Sequence, residues 1–306
     1  MMNIGIIGAG AIGLLYAYHF SALFPVTLYT KRPEQCKELK DKGITLVEEN
    51  LPVGNRRVTV KKLSAKSKLD EEIIIVAVKQ YALQDIMQYL LKLSKDQCVL
   101  FLQNGMAHVK QAEKIENAHL LIGVVEHGVK KLDDVTVNWT GKGLTKVASF
   151  RSDSSDSRFL NMWEKGLSEI FRLQKSDSYQ NILVEKLVVN AIINPLTTLY
   201  RVKNGQLVHN RFYKETMFDL YREISFLIEI EDREKMWDHV LKICSNTAEN
   251  RSSMQQDVEL GRRTEVDAIL GYLIFLAEEQ GKKVPLTEFI YRSIKGLEED
   301  NLDEKQ

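Results

Sequence analysis

The sequence of 306 residues predicts an α/β protein in which a parallel-sheet domain over residues 1–174 precedes an all-α domain over residues 175–306. Three observations carry this expectation. Short apolar runs alternate with helical patterns through the first half, as βαβ units do. A nearly unbroken β-branched run, Ile73-Ile74-Ile75-Val76-Ala77-Val78, has the texture of a strand buried on both faces. From about Tyr179 onward strand signals nearly vanish, and long segments of helical period take over.

Asn3-Ile4-Gly5-Ile6-Ile7 reads as the first strand and Ile12 to Phe20 as the helix behind it. Val26 to Tyr29 follows as a strand, then a helix-like segment from Pro33 to Lys42. After the Ile73–Val78 strand come a helix at Leu83 to Leu91 and a second buried strand at Val99 to Leu102. Strand, helix, strand at this spacing implies parallel pairing with right-handed crossovers. Leu121 to Val125 and Leu144 to Phe150 add strands, and the polar stretch Arg151 to Arg158 is expected to be an exposed loop. In the second half, helices are expected over Ile182–Asn194, Glu215–Ile230, Glu234–Asn250 and Val266–Glu279. There is no internal repeat and no Pro/Gly/Ser linker, so a long helix should lead directly into the second domain from near Lys175.

Composition narrows the partners. The 42 Lys and Arg are balanced by 42 Asp and Glu, which removes the basic excess that nucleic-acid binding requires. At 44% hydrophobic and 27% charged, the chain is an ordinary globular sequence rather than a disordered one. Its length suits about two domains. The three cysteines, Cys36, Cys98 and Cys244, show no CxxC spacing, so neither a disulfide framework nor a metal site is expected. The apolar start lacks the basic region of a signal peptide and is broken by four glycines before Leu15. No stretch was expected to reach the roughly 18 apolar residues that span a bilayer. A small-molecule partner and a cytoplasmic address follow as expectations.

Gly8-Ala9-Gly10-Ala11-Ile12-Gly13 matches G-x-G-x-x-G, a weak pattern alone. Here it follows a predicted strand and opens a predicted helix, the context in which such a loop cradles a dinucleotide pyrophosphate in a Rossmann-type domain. Gly8 permits the tight turn, Gly10 the approach of backbone to phosphate, and Gly13 close packing of helix on strand. The helix N-terminus adds free N–H groups and partial positive charge. At the end of the second strand, Tyr29-Thr30-Lys31-Arg32 carries no acid for a ribose 2′-hydroxyl. Arg32 can hold a 2′-phosphate bidentately and Lys31 adds a point charge, so NADP(H) is the expected cofactor, with a solvated surface pair as the alternative.

Lys186, Asn190 and Asn194 are spaced i, i+4, i+8 within Leu183–Pro195, and therefore share one face of an otherwise aliphatic helix. Polar groups in such surroundings are costly without partners or ligand, and a partly desolvated lysine is suited to donate a proton near neutral pH. A solvent-facing stripe is the competing reading. Asn194-Pro195 should end or kink the helix. Lys79 closes the Ile73–Val78 strand and Asn104-Gly105 the Val99–Leu102 strand, the strand ends where doubly wound sheets bind ligands. Turn chemistry alone also accounts for Asn104-Gly105. Arg251 to Asp257 reads as a capped helix start, and Arg262-Arg263-Thr264-Glu265 as a dense polar cluster; taken singly, capping and a solvated charge run explain them.

Together these segments resemble the ketopantoate reductase (2-dehydropantoate 2-reductase) family across nearly the whole chain. The resemblance is carried by the Gly8–Gly13 loop, Val76-Ala77-Val78-Lys79, Gln103-Asn104-Gly105-Met106, Lys186–Pro195, and Ser252-Ser253-Met254 through Arg262-Arg263-Thr264-Glu265. It implies a Rossmann-type domain followed by an all-α domain, with substrate and nicotinamide meeting in a cleft between them. The implied activity is NADPH-dependent reduction of 2-dehydropantoate to (R)-pantoate, a step towards pantothenate and coenzyme A. By position, Lys186 resembles the family's general acid and Glu265 its partner carboxylate. Asn104, Asn190, Asn194 and Ser253 resemble substrate-contacting positions, and Lys79 a basic residue near nicotinamide and substrate. Gly8, Ala9, Gly10, Ala11, Ile12, Gly13, Lys31, Arg32, Lys79 and Asn104 form the implied cofactor set, and no metal is implied. A homodimer is compatible with the resemblance.

One departure stands out. Family members often carry histidine just before the Thr-Gly pair, where this chain has Trp139; the position is assigned no catalytic role, and the departure leaves cleft shape and keto-acid selectivity open. His127 lies on a loop that could face the cleft, but a lone histidine is more often structural. Two rivals remain open: a same-fold NADPH reductase of another 2-keto acid, and a dinucleotide-binding redox sensor without turnover.

Overall fold

The structure, a computed structural model, describes residues 2–151 and 157–303, so most of the loop expected at 151–158 lies outside the described residues. The chain forms two compact units, Met1–Gln103 with His108–Ile182, and Asn104–Ala107 with Leu183–Gln306. The expected class, a Rossmann-type parallel sheet followed by helices, is what it adopts.

The first unit contains the strands β1 (Ile4–Ile7), β2 (Val26–Thr30), β3 (Ile44–Glu48), β4 (Leu51–Arg56), β5 (Thr59–Lys62), β6 (Ile73–Val76), β7 (Cys98–Phe101), β8 (His119–Val125), β9 (Gly128–Lys131), β10 (Thr136–Gly141), β11 (Thr145–Ser149) and β12 (Leu173–Lys175). Helices α1 (Ala11–Phe20), α2 (Pro33–Lys42), α3 (Leu83–Leu90), α4 (Val109–Ala112) and α5 (Ser157–Leu167) connect them. The main sheet runs β12-β11-β8-β7-β6-β1-β2-β5. From β8 to β5 every pairing is parallel, whereas β11 joins β8 antiparallel. All four residues of β1, β6 and β7 are buried, which accounts for their continuous apolar composition. The chain moves outward from β1 in one direction and from β6 in the other, so the sheet's switch point lies at the carboxyl ends of these neighbours.

A second sheet, β4-β3-β10-β9, was not expected from the sequence. Its strands are short and partly exposed, β4 carries Pro52 and Gly54, and β3 finds β10 about ninety residues away, so no local periodicity announces it. It packs on α1, which also contacts β1 and β2. Covered on both sides, α1 is buried from Gly13 to Phe20 and has no polar face.

The second unit is built on α6 (Tyr179–Tyr200), α7 (Asn204–His209), α8 (Arg211–Leu227), α9 (Arg233–Asn246), α10 (Ser253–Glu259), α11 (Tyr272–Glu279) and α12 (Pro285–Asp303). Its core gathers Leu187, Val188, Ala191 and Ile192 of α6 with Leu220 and Ile224 of α8, Val240 and Cys244 of α9, and Leu273. Helix α8 starts before the expected Glu215 because Asn210 caps it, accepting from the N–H groups of Phe212 and Tyr213 at 3.0 and 3.3 Å. The expected helix at Val266–Glu279 opens instead as a π-helical segment, Asp267–Gly271. With 22 residues and an 18-residue window of mean hydropathy 1.4, α6 is by length and composition long and apolar enough to cross a membrane, which amends the expectation that no stretch is. It is a core helix here, with 78% of that apolar window buried.

Pro195 does not end α6, one of the two outcomes expected of it; the helix continues to Tyr200. Just after the proline, threonine hydroxyls bond back onto the helix carbonyls. Thr197 Oγ1 donates to the Ile193 carbonyl at 2.7 Å and Thr198 Oγ1 to the Asn194 carbonyl at 2.6 Å. Thr197 Oγ1 also lies within hydrogen-bond distance, 2.8 Å, of Ser252 Oγ, the buried N-cap of α10.

Candidate functional site

In the first unit, the loop between β1 and α1 is tied to the sheet by Gly8 N–H donating to the Tyr29 carbonyl at 3.0 Å. Gly8 has φ +109, and a Cβ there would lie 2.9 Å from the Ala77 carbonyl oxygen. A Cβ on Gly13 would lie 1.7 Å from the Gly8 carbonyl oxygen, so the first turn of α1 can close on the loop only without one. Gly10 differs: it is the exposed N-cap of α1, and a Cβ on it would meet nothing within 4 Å. The chain's own packing does not require that glycine, and its open side is where a backbone-approaching phosphate would fit. No side chain caps α1 and no acid sits in its first turn, so its positive end is not offset from within the helix. Ala9 is buried, Ala11 and Ile12 half-buried.

Lys31 and Arg32 follow β2 on the surface. Lys31 Nζ pairs with Asp85 at 3.1 Å, with both side chains mostly exposed. Arg32 Nη2 donates to Asp134, which also receives Lys131 Nζ at 2.8 Å. An exposed pair such as Lys31–Asp85 stabilises by about 0–1 kcal/mol, little enough for a bound anion to displace it. Lys79 is half-buried just past β6 and caps the short turn Gln80–Ala82. The end of β6 is held by Gln103, whose Nε2 donates to the carbonyls of Val76 and Val78 at 2.9 and 3.0 Å. This role of Gln103 is not among the sequence expectations; its signal is a polar amide directly after an apolar strand.

In the second unit, Lys186, Asn190 and Asn194 share one face of α6, as their spacing requires. Lys186 is half-buried, while Asn190 and Asn194 are 7% and 8% exposed. Among the described residues neither amide side chain makes a hydrogen bond, although buried amides normally find partners. The neighbouring Glu185 pairs with His239 of α9 at 3.0 Å. Glu265, 8% exposed, immediately precedes the π-helical segment, and its carboxylate accepts from Asn104 Nδ2 at 2.8 Å. The Asn104 loop fits there because Gly105, at φ +76, lies where a Cβ would be 2.4 Å from the Ala268 carbonyl oxygen. Thus Asn104 and Glu265 are brought together, and the "solvated" cluster is half buried, with Thr264 only 1% exposed. Ser253 is exposed on the first turn of α10, and its hydroxyl makes no hydrogen bond among the described residues. The adjacent Ser252 is the one tied to α6, donating to the Asn194 carbonyl at 3.4 Å. A π-helical insertion beside a buried carboxylate is common at functional sites, and nothing in the residue pattern announces it.

Trp139 and His127 belong to neither polar group. Trp139 is 2% exposed on β10, with its ring 4.8 Å from His19 and 5.3 Å from His127. Trp139, to which the sequence assigns no catalytic role, fills the core of the first unit. His127 stacks on Phe171 at 4.8 Å and accepts from Gly143 N–H at 3.1 Å. Burial, followed by the charge of Arg172, lowers its pKa to about 4, so it is neutral at physiological pH.

Residues 4–152 match the family model described as ketopantoate reductase PanE/ApbA, and residues 178–298 match ketopantoate reductase PanE/ApbA C terminal. The chain is 39% identical over 300 residues to a 2-dehydropantoate 2-reductase from Bacillus subtilis, covering 97% of this chain and 98% of that one. The crystal structure of a probable 2-dehydropantoate 2-reductase from Bacillus subtilis superposes with a TM-score of 0.87 at 37% identity, over 97% of this chain and 100% of that one. A D-mandelate dehydrogenase with NADH and anilino(oxo)acetate has the same fold, with a TM-score of 0.87 at 22% identity over 98% and 99% of the two chains. With both family models matched in order and a relative this similar over nearly the full length, the chain belongs to the ketopantoate reductase PanE/ApbA family.

Proposed function

We propose that the protein is a cytoplasmic NADPH-dependent 2-dehydropantoate 2-reductase, forming (R)-pantoate on the way to pantothenate and coenzyme A. The observation that carries the reading is the pair of buried amides, Asn190 and Asn194, aligned with Lys186 on one helix face and lacking hydrogen bonds to described residues. Amides on a mostly buried helix face that bond to no described residue are ready to bind a polar ligand, and a lysine in line with them supplies the acid that ketone reduction needs.

In this mechanism residues 1–174 bind the dinucleotide and residues 175–306 supply most of the catalytic groups. The Gly8–Gly13 loop and the N-terminus of α1 hold the pyrophosphate, Lys31 and Arg32 meet the 2′-phosphate, and Lys79 and Asn104 line the reacting end. Bound NADPH supplies the hydride. Lys186 Nζ donates a hydrogen bond to the ketone oxygen, stabilises the negative charge that develops there, and delivers its proton to give the alcohol. Asn104, Asn190, Asn194 and Ser253 orient the hydroxyl and carboxylate of the substrate. Glu265, fixed by Asn104 at 2.8 Å, holds Lys186 or a substrate hydroxyl in register. Fixed positions matter as much as acidity, because hydride transfer needs close approach of two carbons. Homodimer assembly belongs to the same reading, supported by Phe212, Phe226 and Phe289 left 72%, 58% and 65% exposed on the helical unit.

Steady-state assay of purified protein against a panel of branched and unbranched 2-keto acids, with NADPH and with NADH, tests the proposal. The highest kcat/KM is expected for 2-dehydropantoate with NADPH. A higher value for another keto acid would replace the substrate, and no turnover with any would remove the enzyme reading.

A further inference from the structure

The turn between β9 and β10 reaches the dinucleotide cradle through one buried side chain. Gln35 of α2, 5% exposed, donates from Nε2 to the carbonyl of Ala9 at 2.8 Å and to the carbonyl of Asp134 at 3.0 Å. The glycine loop and the turn therefore share a single amide as their clasp. The turn is itself well built: Asp133 Oδ1 accepts from the N–H groups of Val135 and Thr136 at 2.8 and 2.7 Å, and Leu132 N–H donates to the Thr136 carbonyl at 3.0 Å. Asp134 is thereby fixed in place, 21% exposed at its side chain, with its carboxylate against both Arg32 and Lys131.

Arg32 is the residue expected to meet the 2′-phosphate, and here one of its nitrogens is already engaged by an anion of the same chain. A guanidinium has further N–H donors, so Asp134 does not block the phosphate. It does place a fixed negative charge beside the position where the ligand's own negative charge would rest. Sharing Asp134 with Lys131 weakens that offset without removing it; the three groups together carry one net positive charge.

We propose that Asp134 is a specificity-determining residue of the dinucleotide site: its carboxylate offsets the positive charge offered by Arg32, setting the preference for a 2′-phosphorylated dinucleotide below what Lys31 and Arg32 alone would give. The proposal rests on the NADP(H) reading above and deepens it, by making the second sheet part of cofactor selection. A dinucleotide lacking the 2′-phosphate is indifferent to Asp134.

The test is fluorescence titration of the full chain with NADPH and with NADH, in the wild type and in Asp134→Asn, Lys131→Met and Arg32→Met. Removing one charge a few ångströms from a phosphate at the protein surface should tighten NADPH binding by about three- to tenfold in Asp134→Asn while leaving NADH within about twofold. Lys131→Met leaves Asp134 wholly to Arg32 and should weaken NADPH selectively. Weaker or unchanged NADPH binding in Asp134→Asn, with Arg32→Met still lowering it by about tenfold, overturns the role of Asp134 alone. An unchanged NADPH-to-NADH ratio in both Arg32→Met and Asp134→Asn overturns the cofactor reading beneath it. Circular dichroism of each variant confirms that the comparison is made on folded protein, and Asp134→Glu should restore the wild-type ratio.

Discussion

Replacing Gly10 with alanine separates ligand binding from folding. A Cβ at Gly10 meets nothing within 4 Å, and the residue has φ −81, ψ −172, which alanine adopts without strain. The exchange removes backbone freedom from the unfolded chain, a gain of about 0.4–1 kcal/mol, and weakens the helix cap, a loss of about 0.5–1 kcal/mol. Stability should therefore stay nearly constant, with Tm within about 2 °C of wild type. Binding should not. The new methyl occupies the side from which a pyrophosphate would approach and lengthens or removes one or two charge-assisted hydrogen bonds, each contributing about 1.5–3 kcal/mol. NADPH affinity should fall roughly 10- to 100-fold. The assay is isothermal titration with NADPH beside a thermal melt, with Gly13→Ala as contrast: its Cβ would sit 1.7 Å from the Gly8 carbonyl oxygen, so Tm should drop as well. Unchanged NADPH affinity in Gly10→Ala would refute the placement of phosphate on that open side.

Four further outcomes are expected. Lys186→Ala should lower kcat by about 10²- to 10⁴-fold while NADPH affinity stays within about twofold, measured by steady-state rates and titration. Asn190→Ala and Asn194→Ala should each cut kcat/KM by about 5- to 150-fold through loss of a substrate hydrogen bond, with little change in the urea midpoint because neither amide is bonded to a described residue. Trp139→Ala should lower stability by about 3–5 kcal/mol in urea denaturation, yet leave the KM for the keto acid within about twofold, since the ring is 2% exposed in the core. Acid should destabilise the fold early: burial lowers the pKa of His19 to about 3, and those of His108 and His127 to about 4, so the unfolded chain binds these protons first. Their neutral-state stability is complete above the unfolded value near 6.5 and is lost as pH falls towards 4, at about 1.4 kcal/mol per histidine per pH unit, which urea midpoints at a series of pH values measure. A flat profile between neutral pH and pH ~5 would contradict this.

What could be read from residue order alone follows a physical line. Local patterns were legible: α2 was expected at Pro33–Lys42 and occurs there, and the aliphatic runs at Ile73 and Val99 are β6 and β7 because a doubly covered sheet demands them. The glycine loop was legible because its geometry tolerates no Cβ at Gly8 and Gly13. Features made by distant partners were not. The β3–β10 pairing, the cap that Ser252 makes across to Thr197, and the contact of Asn104 with Glu265 each join residues far apart in the chain. That α6 runs on past Pro195 was likewise not legible locally: the hydroxyl contacts around it include one with Ser252, the N-cap of α10. The packing of Trp139 against His19, His127 and Phe171 is likewise invisible in its immediate chain neighbours.

The most direct test of the central claim follows the hydride itself. Wild-type protein is incubated with 2-dehydropantoate and NADPH deuterated at the hydride-donating position, and the product is analysed by mass spectrometry and NMR. Pantoate bearing a single deuterium at C2, formed in step with NADPH oxidation and nearly absent with Lys186→Ala, is the expected result. NADPH oxidation without deuterated pantoate, or equal product from Lys186→Ala, would contradict the account.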